Sequence, residues 1–71
     1  MKKKQIHIDT EFIRLDSLLK LSGGAVTGGQ AKVVIQGGQV LVNGQICTMR
    51  GKKMRPGDTA QIGDLLIEVL A

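Results

Sequence analysis

Glycine pairs set the tightest constraint on this chain. Gly23-Gly24 and Gly37-Gly38 each close a stretch with helical spacing, and Asn43-Gly44 interrupts an alternating one. A glycine just past a helix supplies the left-handed residue that ends it without strain. The two helices cut out this way are short, and short isolated helices are marginal in water. They must therefore pack on each other or on a sheet.

Ahead of the first pair, Phe12, Leu15, Leu18 and Leu19, with Ser22, keep the three-four spacing of an amphipathic helix, and Arg14, Ser17 and Lys20 fall on its other side. Thr10 has N-cap chemistry, and Glu11 suits the first turn after it. A second helix opens at Thr27, where Thr27 and Gln30 carry the Thr-x-x-Gln spacing of a capping box. Its inward stripe is Ala31, Val34 and Ile35, with Lys32 and Gln36 outside.

Strands flank this pair. Ile6 and Ile8 alternate with Gln5, His7 and Asp9 as a short half-buried strand, preceded by a frayed basic start at Lys2 to Lys4. Val40 and Val42 alternate into Asn43-Gly44, the strongest short hairpin signal, and residues 46–49 are expected to return from it. Pro56-Gly57-Asp58 predicts a tight turn, and Thr59–Ile62 and Leu65–Leu70 a last hairpin across Gly63-Asp64. No repeat or low-complexity linker interrupts the order, so residues 1–71 are expected to form one α+β domain, a helical pair on a small, mostly antiparallel sheet.

So small a domain buries only roughly 60% of the surface of its unfolded chain. An apolar content of 42% is enough for a fold but leaves little room for a catalytic cleft. The formal charge of +4 and a pI near 9.7 favour polyanionic partners. A membrane surface would need a long apolar span or a basic amphipathic helix, and neither is present. No secretory leader follows Lys2 to Lys4, and Cys47 is a lone cysteine, so a reducing cytoplasm is the expected compartment. Phe12 is the single aromatic residue. Readers of single strands stack bases on aromatic rings, so a nucleic-acid binder built from this chain must rely on charge, backbone amides and shape.

Two features carry binding chemistry. Four of the six residues in Arg50-Gly51-Lys52-Lys53-Met54-Arg55 are cationic. Such a run neutralises phosphates with counterion release; on its own it also fits a solvated loop or a lysine-guarded strand edge. The second is Thr27-Gly28-Gly29-Gln30-Ala31-Lys32, a helix start whose free amides, unshielded by side chains at the glycines, suit a phosphate. Read alone, it is an ordinary capped helix. Residues 24–31 keep the glycine spacing of a Walker A loop but have Gln30-Ala31 in place of the lysine and hydroxyl residue, which excludes nucleotide hydrolysis.

Neither catalysis nor a metal finds a residue set. His7 and Cys47 are the only residues of their kinds, read as an exposed strand residue and a small apolar filler. Asp9, Glu11 and Asp16 fit a helix start, and Asp58 and Asp64 fit turns. No catalytic residue, cofactor or metal ligand is expected.

Taken together, Arg14-Leu15-Asp16-x-x-Leu19, Thr27-Gly28-Gly29-Gln30-Ala31-Lys32, Gly38-x-Val40-x-Val42-Asn43-Gly44 and Arg55-Pro56-Gly57-Asp58 resemble the alpha-L RNA-binding domain. This is the module named after ribosomal small-subunit protein four, found also in tyrosyl-tRNA synthetases and pseudouridine synthases. The resemblance spans roughly residues 12 to 62, and the Val-x-Val-Asn-Gly hairpin followed by Pro-Gly-Asp is its most specific part.

The resemblance implies two helices on a small sheet, with structured RNA, rRNA or tRNA, lying against the helix starts and the basic loop. By position, the implied contacts are Arg14, Lys20, Thr27, Gly28, Gly29, Gln30, Lys32, Arg50, Lys52, Lys53 and Arg55. Arg14 has a second reading, as a partner of Asp16. Many family members open the second helix with Ser-Arg; here Thr27-Gly28 stands there, which moves the contact toward backbone amides. The expected role is that of a monomeric, cofactor-free accessory factor for RNA or ribosomal particles. Duplex DNA binding and a protein adaptor using the basic loop are the rival readings.

Overall fold

A computed structural model describes all residues from Met1 to Ala71. The chain runs β1 (Lys2–His7), β2 (Ile13–Arg14), α1 (Leu15–Ser22), α2 (Gly28–Gln36), β3 (Val40–Val42), β4 (Gln45–Ile46), β5 (Lys53–Met54), β6 (Thr59–Ile62) and β7 (Leu65–Leu70). Five strands form one sheet in the order β1-β7-β6-β3-β4, and β2 pairs with β5 in a separate two-stranded ladder. Only the β1–β7 pairing is parallel. This is the expected helical pair on a mostly antiparallel sheet.

Register decides what each face of the sheet carries. Val42 pairs with Ala60 and Ala60 with Ile67, so all three share one face, and all are buried. Onto that face pack Leu15, Leu18 and Leu19 of α1 and Ala31 and Ile35 of α2, each fully buried. Val34 and Ile6 pack at the margin of this cluster. Ser22, the one buried polar residue, turns its hydroxyl to the carbonyl of Leu19 at 3.1 Å.

Two turns with motif character hold each other. Asn43 and Gly44 both have positive φ, 51° and 85°, as a two-residue hairpin of this hand requires. Gly57 has φ 97°, and the Asp58 amide donates to the Arg55 carbonyl at 2.9 Å, closing the Pro-Gly turn. The Asp58 carboxylate accepts from the Arg55 amide at 2.8 Å and from Asn43 Nδ2 at 3.2 Å. Asn43 Oδ1 in turn accepts from the Thr59 amide at 3.0 Å. The hairpin and the Pro-Gly turn are thus one braced unit.

Four expectations need correction. Helix α1 starts at Leu15, not after Thr10; Thr10 instead donates to the Phe12 carbonyl at 2.9 Å, and Phe12 stays outside the helix, half-buried. The cause is tertiary: the Leu15 and Asp16 amides donate to the carbonyls of Lys52 and Arg50, at 2.9 and 3.1 Å, which satisfies helix-start donors without a side-chain cap. Asp9 and Glu11 therefore lie before the helix, not in its first turn. The returning strand is limited to Gln45–Ile46, because the chain then leaves the sheet to reach α1. Finally, Lys2 to Lys4 are not frayed but form a ladder with β7.

Candidate nucleic-acid interface

The basic run is built into the fold rather than hung from it. Arg14 of β2 pairs in register with Lys53 of β5, while their neighbours Ile13 and Met54 face the interior. The ladder therefore presents Arg14 and Lys53 together on its outer side. Lys53 Nζ stands 5.0 Å above the Phe12 ring, a cation–π contact that orients it. Arg50 and Lys52 are joined to the same place through their carbonyls, which hold the start of α1. Arg55 follows, exposed, with its amide fixed by Asp58.

Arg14 takes its second reading, as the partner of Asp16. Its Nε and Nη2 donate to Asp16 Oδ1 and Oδ2 at 3.2 and 3.1 Å, a two-pronged pair. The guanidinium also lies beside Gly51, inside the basic loop. An exposed pair contributes only about 0–1 kcal/mol to stability. Its larger consequence is orientation: the fork holds the guanidinium against the loop.

The second cluster sits at the other end of α1. Lys20 lies exposed in the last helical turn, and the Gly23 cap leads into α2. Thr27 caps α2 by accepting from the Gln30 amide at 3.1 Å. Gln30 Oε1 reaches back to the Val26 amide at 2.6 Å, one residue before the cap, so the box is closed one position early. Lys32 is exposed one turn further on. At 1.5 Å per residue, the 8 residues of α1 separate the two clusters by about 12 Å. The predicted residues thus fall into two clusters, one at each end of α1, not one pocket.

Gly28 and Gly29 have no structural reason to be glycine. Neither has positive φ; a Cβ on Gly28 would meet nothing within 4 Å, and one on Gly29 only the Thr27 hydroxyl oxygen at 3.9 Å. Glycine in a helix costs up to about 1 kcal/mol relative to alanine. The exposed amide surface at the start of α2 is what these two residues provide.

His7 and Cys47 are kept apart. His7 ends β1, Cys47 follows β4, and these are opposite edges of the five-stranded sheet. Four strand spacings put them roughly 19 Å from each other, too far for any shared chemistry. Cys47 is partly buried against the core, as a small apolar filler, and exposed His7 lies 3.3 Å from the Ala71 carbonyl. No helix is long and apolar enough to cross a membrane.

What the fold defines is a small domain that exposes cations near both ends of α1 and a glycine-opened start of α2. Comparison with known proteins narrows the class. The S4 domain family matches residues 6–70. The chain is 42% identical over 57 residues to RlbA of Bacillus subtilis, named a probable ribosome maturation protein, with 80% of each chain covered. It is 37% identical over 59 residues to YbcJ of Escherichia coli, covering 83% of this chain and 84% of that one. The solution structure of YbcJ, described as revealing an alpha-L motif involved in RNA binding, superimposes with a TM-score of 0.73 at 32% identity, over 94% of this chain and 86% of the other. This chain belongs to the S4 domain family and has the alpha-L fold.

Proposed function

We propose that this domain binds structured RNA without catalysis, gripping phosphates with the loop at residues 50–55, the exposed side of α1 and the open start of α2. The observation that carries the reading is the pair of glycines at 28 and 29, unneeded by the fold and placed beside Lys32 at a helix start. Arg14, Lys53 and the loop supply the second grip about 12 Å away along α1. RNA is the favoured polyanion because the family and YbcJ's alpha-L motif point to it. Similarity to RlbA favours rRNA in a ribosomal particle over tRNA. The domain acts as a monomer, in the cytoplasm and without a cofactor.

The test is a titration with an rRNA hairpin, a single strand of equal length and a DNA duplex, at several salt concentrations. The hairpin should bind tightest and with steep salt dependence. Lys52→Ala and Lys53→Ala should each lower the slope of log K against log salt by about 0.7–0.9, the loss of one phosphate contact. Equal weak binding to all three probes refutes the reading; unchanged slopes in both variants remove the loop from it.

A further inference from the structure

Building on that reading, we propose that Lys2 and Lys4, facing the Gly23–Gly24 turn, form a further phosphate-binding site that extends the RNA interface onto the edge of the sheet. Their direction follows from register. Lys4 pairs with Ile67, and Ile67 with Ala60; Lys2 pairs with Leu65, and Leu65 with Ile62. Both lysines therefore lie on the face that the helices cover, in rows that are otherwise apolar.

Lys3 points the other way, and the difference is chemical as well as geometric. Its ammonium lies 3.7 Å from Glu68, which also accepts from Gln5 at 3.1 Å. The other ion pair of the molecule is Arg14–Asp16, so Lys2 and Lys4 have no carboxylate within 4.0 Å. The lysines with unspent charge are the two on the α1 side.

Opposite them is an open hollow of about 380 Å³ whose far wall is Ser22, Gly23 and Gly24. A Cβ on Gly23 would meet nothing within 4 Å, so the turn backbone is open to approach. Gly24 is packed instead: its amide points to the hydroxyl of buried Ser22 at 3.4 Å. A Cβ on Gly24 would meet Ile62 and Leu19 at 3.3 Å, so the open part of the turn is Gly23. Two ammonium groups without a carboxylate partner, beside an open backbone turn, are donors that phosphate oxygens take. The hollow adjoins the C-terminal end of α1, one turn from Lys20. Asp64 stands on its rim and opposes an anion, as does the negative end of the α1 dipole, so the two lysines must outweigh both.

Lysines on an edge strand also discourage edge-to-edge pairing, but that role does not distinguish Lys3 from its neighbours. Three single variants of the full chain, Lys2→Gln, Lys3→Gln and Lys4→Gln, remove the same charge within three residues. Their folding is verified by circular dichroism, and each is titrated with the rRNA hairpin across salt concentrations. Lys2→Gln and Lys4→Gln should each lower the salt slope by about 0.7–0.9, whereas Lys3→Gln should leave it nearly unchanged. The Gly23 and Gly24 amide resonances should shift on RNA addition, and Asp64→Asn should tighten binding.

Slopes at the wild-type value for Lys2→Gln and Lys4→Gln, or an equal fall for Lys3→Gln, overturn the site. If Lys52→Ala and Lys53→Ala still lower the slope in that case, the first reading stands without it. A wild-type protein with no salt-dependent hairpin binding overturns both.

Discussion

Replacing Asp58 with Asn tests the brace between the two motif turns, and its size can be worked out from the geometry. The carboxylate accepts from the Arg55 amide at 2.8 Å and from Asn43 Nδ2 at 3.2 Å. An amide oxygen at the same place keeps one of these at best and presents an NH2 group to the other donor. A hydrogen bond to a charged group contributes about 1.5–3 kcal/mol when shielded. Asp58 is only half-buried, so water and screening reduce this, and we expect a loss of about 1 kcal/mol. In a domain of this size that lowers Tm by about 4–8 °C at neutral pH.

The pH dependence supplies a sharper check. The Arg55 amide, then Asn43 and the nearby charges of Lys52 and Arg55, hold the Asp58 carboxyl below its ordinary value of 3.8, against a partial desolvation that acts the other way. A carboxyl depressed in the folded state contributes stability that is full above its unfolded pKa and is lost as pH falls through the folded one. The gap in Tm between wild type and Asp58→Asn should therefore be constant from pH 7 down to about 5 and close on further acidification below 3.8. Calorimetric melts along this series decide it. A variant melting within about 1 °C of wild type at pH 7, well under the expected shift, would refute the brace, as would a gap that stays constant into acid.

Two further substitutions separate fold from function. Gly29→Ala should raise stability by about 0.4–1 kcal/mol, because alanine fits the space and restricts the unfolded chain, yet weaken hairpin RNA binding by covering the helix-start amides. A melt and a titration on one sample test it, and unchanged affinity would remove the α2 start from the interface. Leu19→Ala empties a fully buried position at a cost of about 2–5 kcal/mol, in a domain whose single core supplies only about 3–5. Loss of most of the folded signal in urea titrations at 25 °C is the expected outcome.

How much of this was legible in the sequence depended on whether the deciding contact was local. The α2 cap, the Asn43-Gly44 hairpin and the last hairpin across Gly63-Asp64 are set by neighbours in the chain, and each forms where the residues predict. The start of α1 was not legible. Thr10 and Glu11 are good helix-start chemistry, but the amides at Leu15 and Asp16 find carbonyls more than thirty residues away, and those contacts set the boundary. Ile13–Arg14 has no strand signal of its own, and its ladder exists because Lys53–Met54 comes alongside. The basic loop was visible as composition, whereas its joining to Arg14 was visible only once the chain closed. Lys2 to Lys4 were misread for the same reason: a parallel partner at the far end of the sequence leaves no local trace.

The acids explain how a modest net charge leaves most cations without an ion-pair partner. Of six acidic residues, Asp16 is committed to Arg14, Glu68 to Lys3 and Gln5, and Asp58 to backbone and Asn43 in the turn brace. Each engaged carboxylate does structural service, and only two cations, Arg14 and Lys3, have one as an ion-pair partner. The remaining eight of ten Lys and Arg residues have no carboxylate within 4.0 Å, and they lie in β1, α1, α2 and the loop at 50–55. Like charges gathered on so small a body repel and oppose folding. With little core to offset that repulsion, a polyanion laid along α1 would relieve it. Binding and folding would then draw on the same cations, so the most informative variants are those, such as Gly29→Ala, that move the two properties in opposite directions.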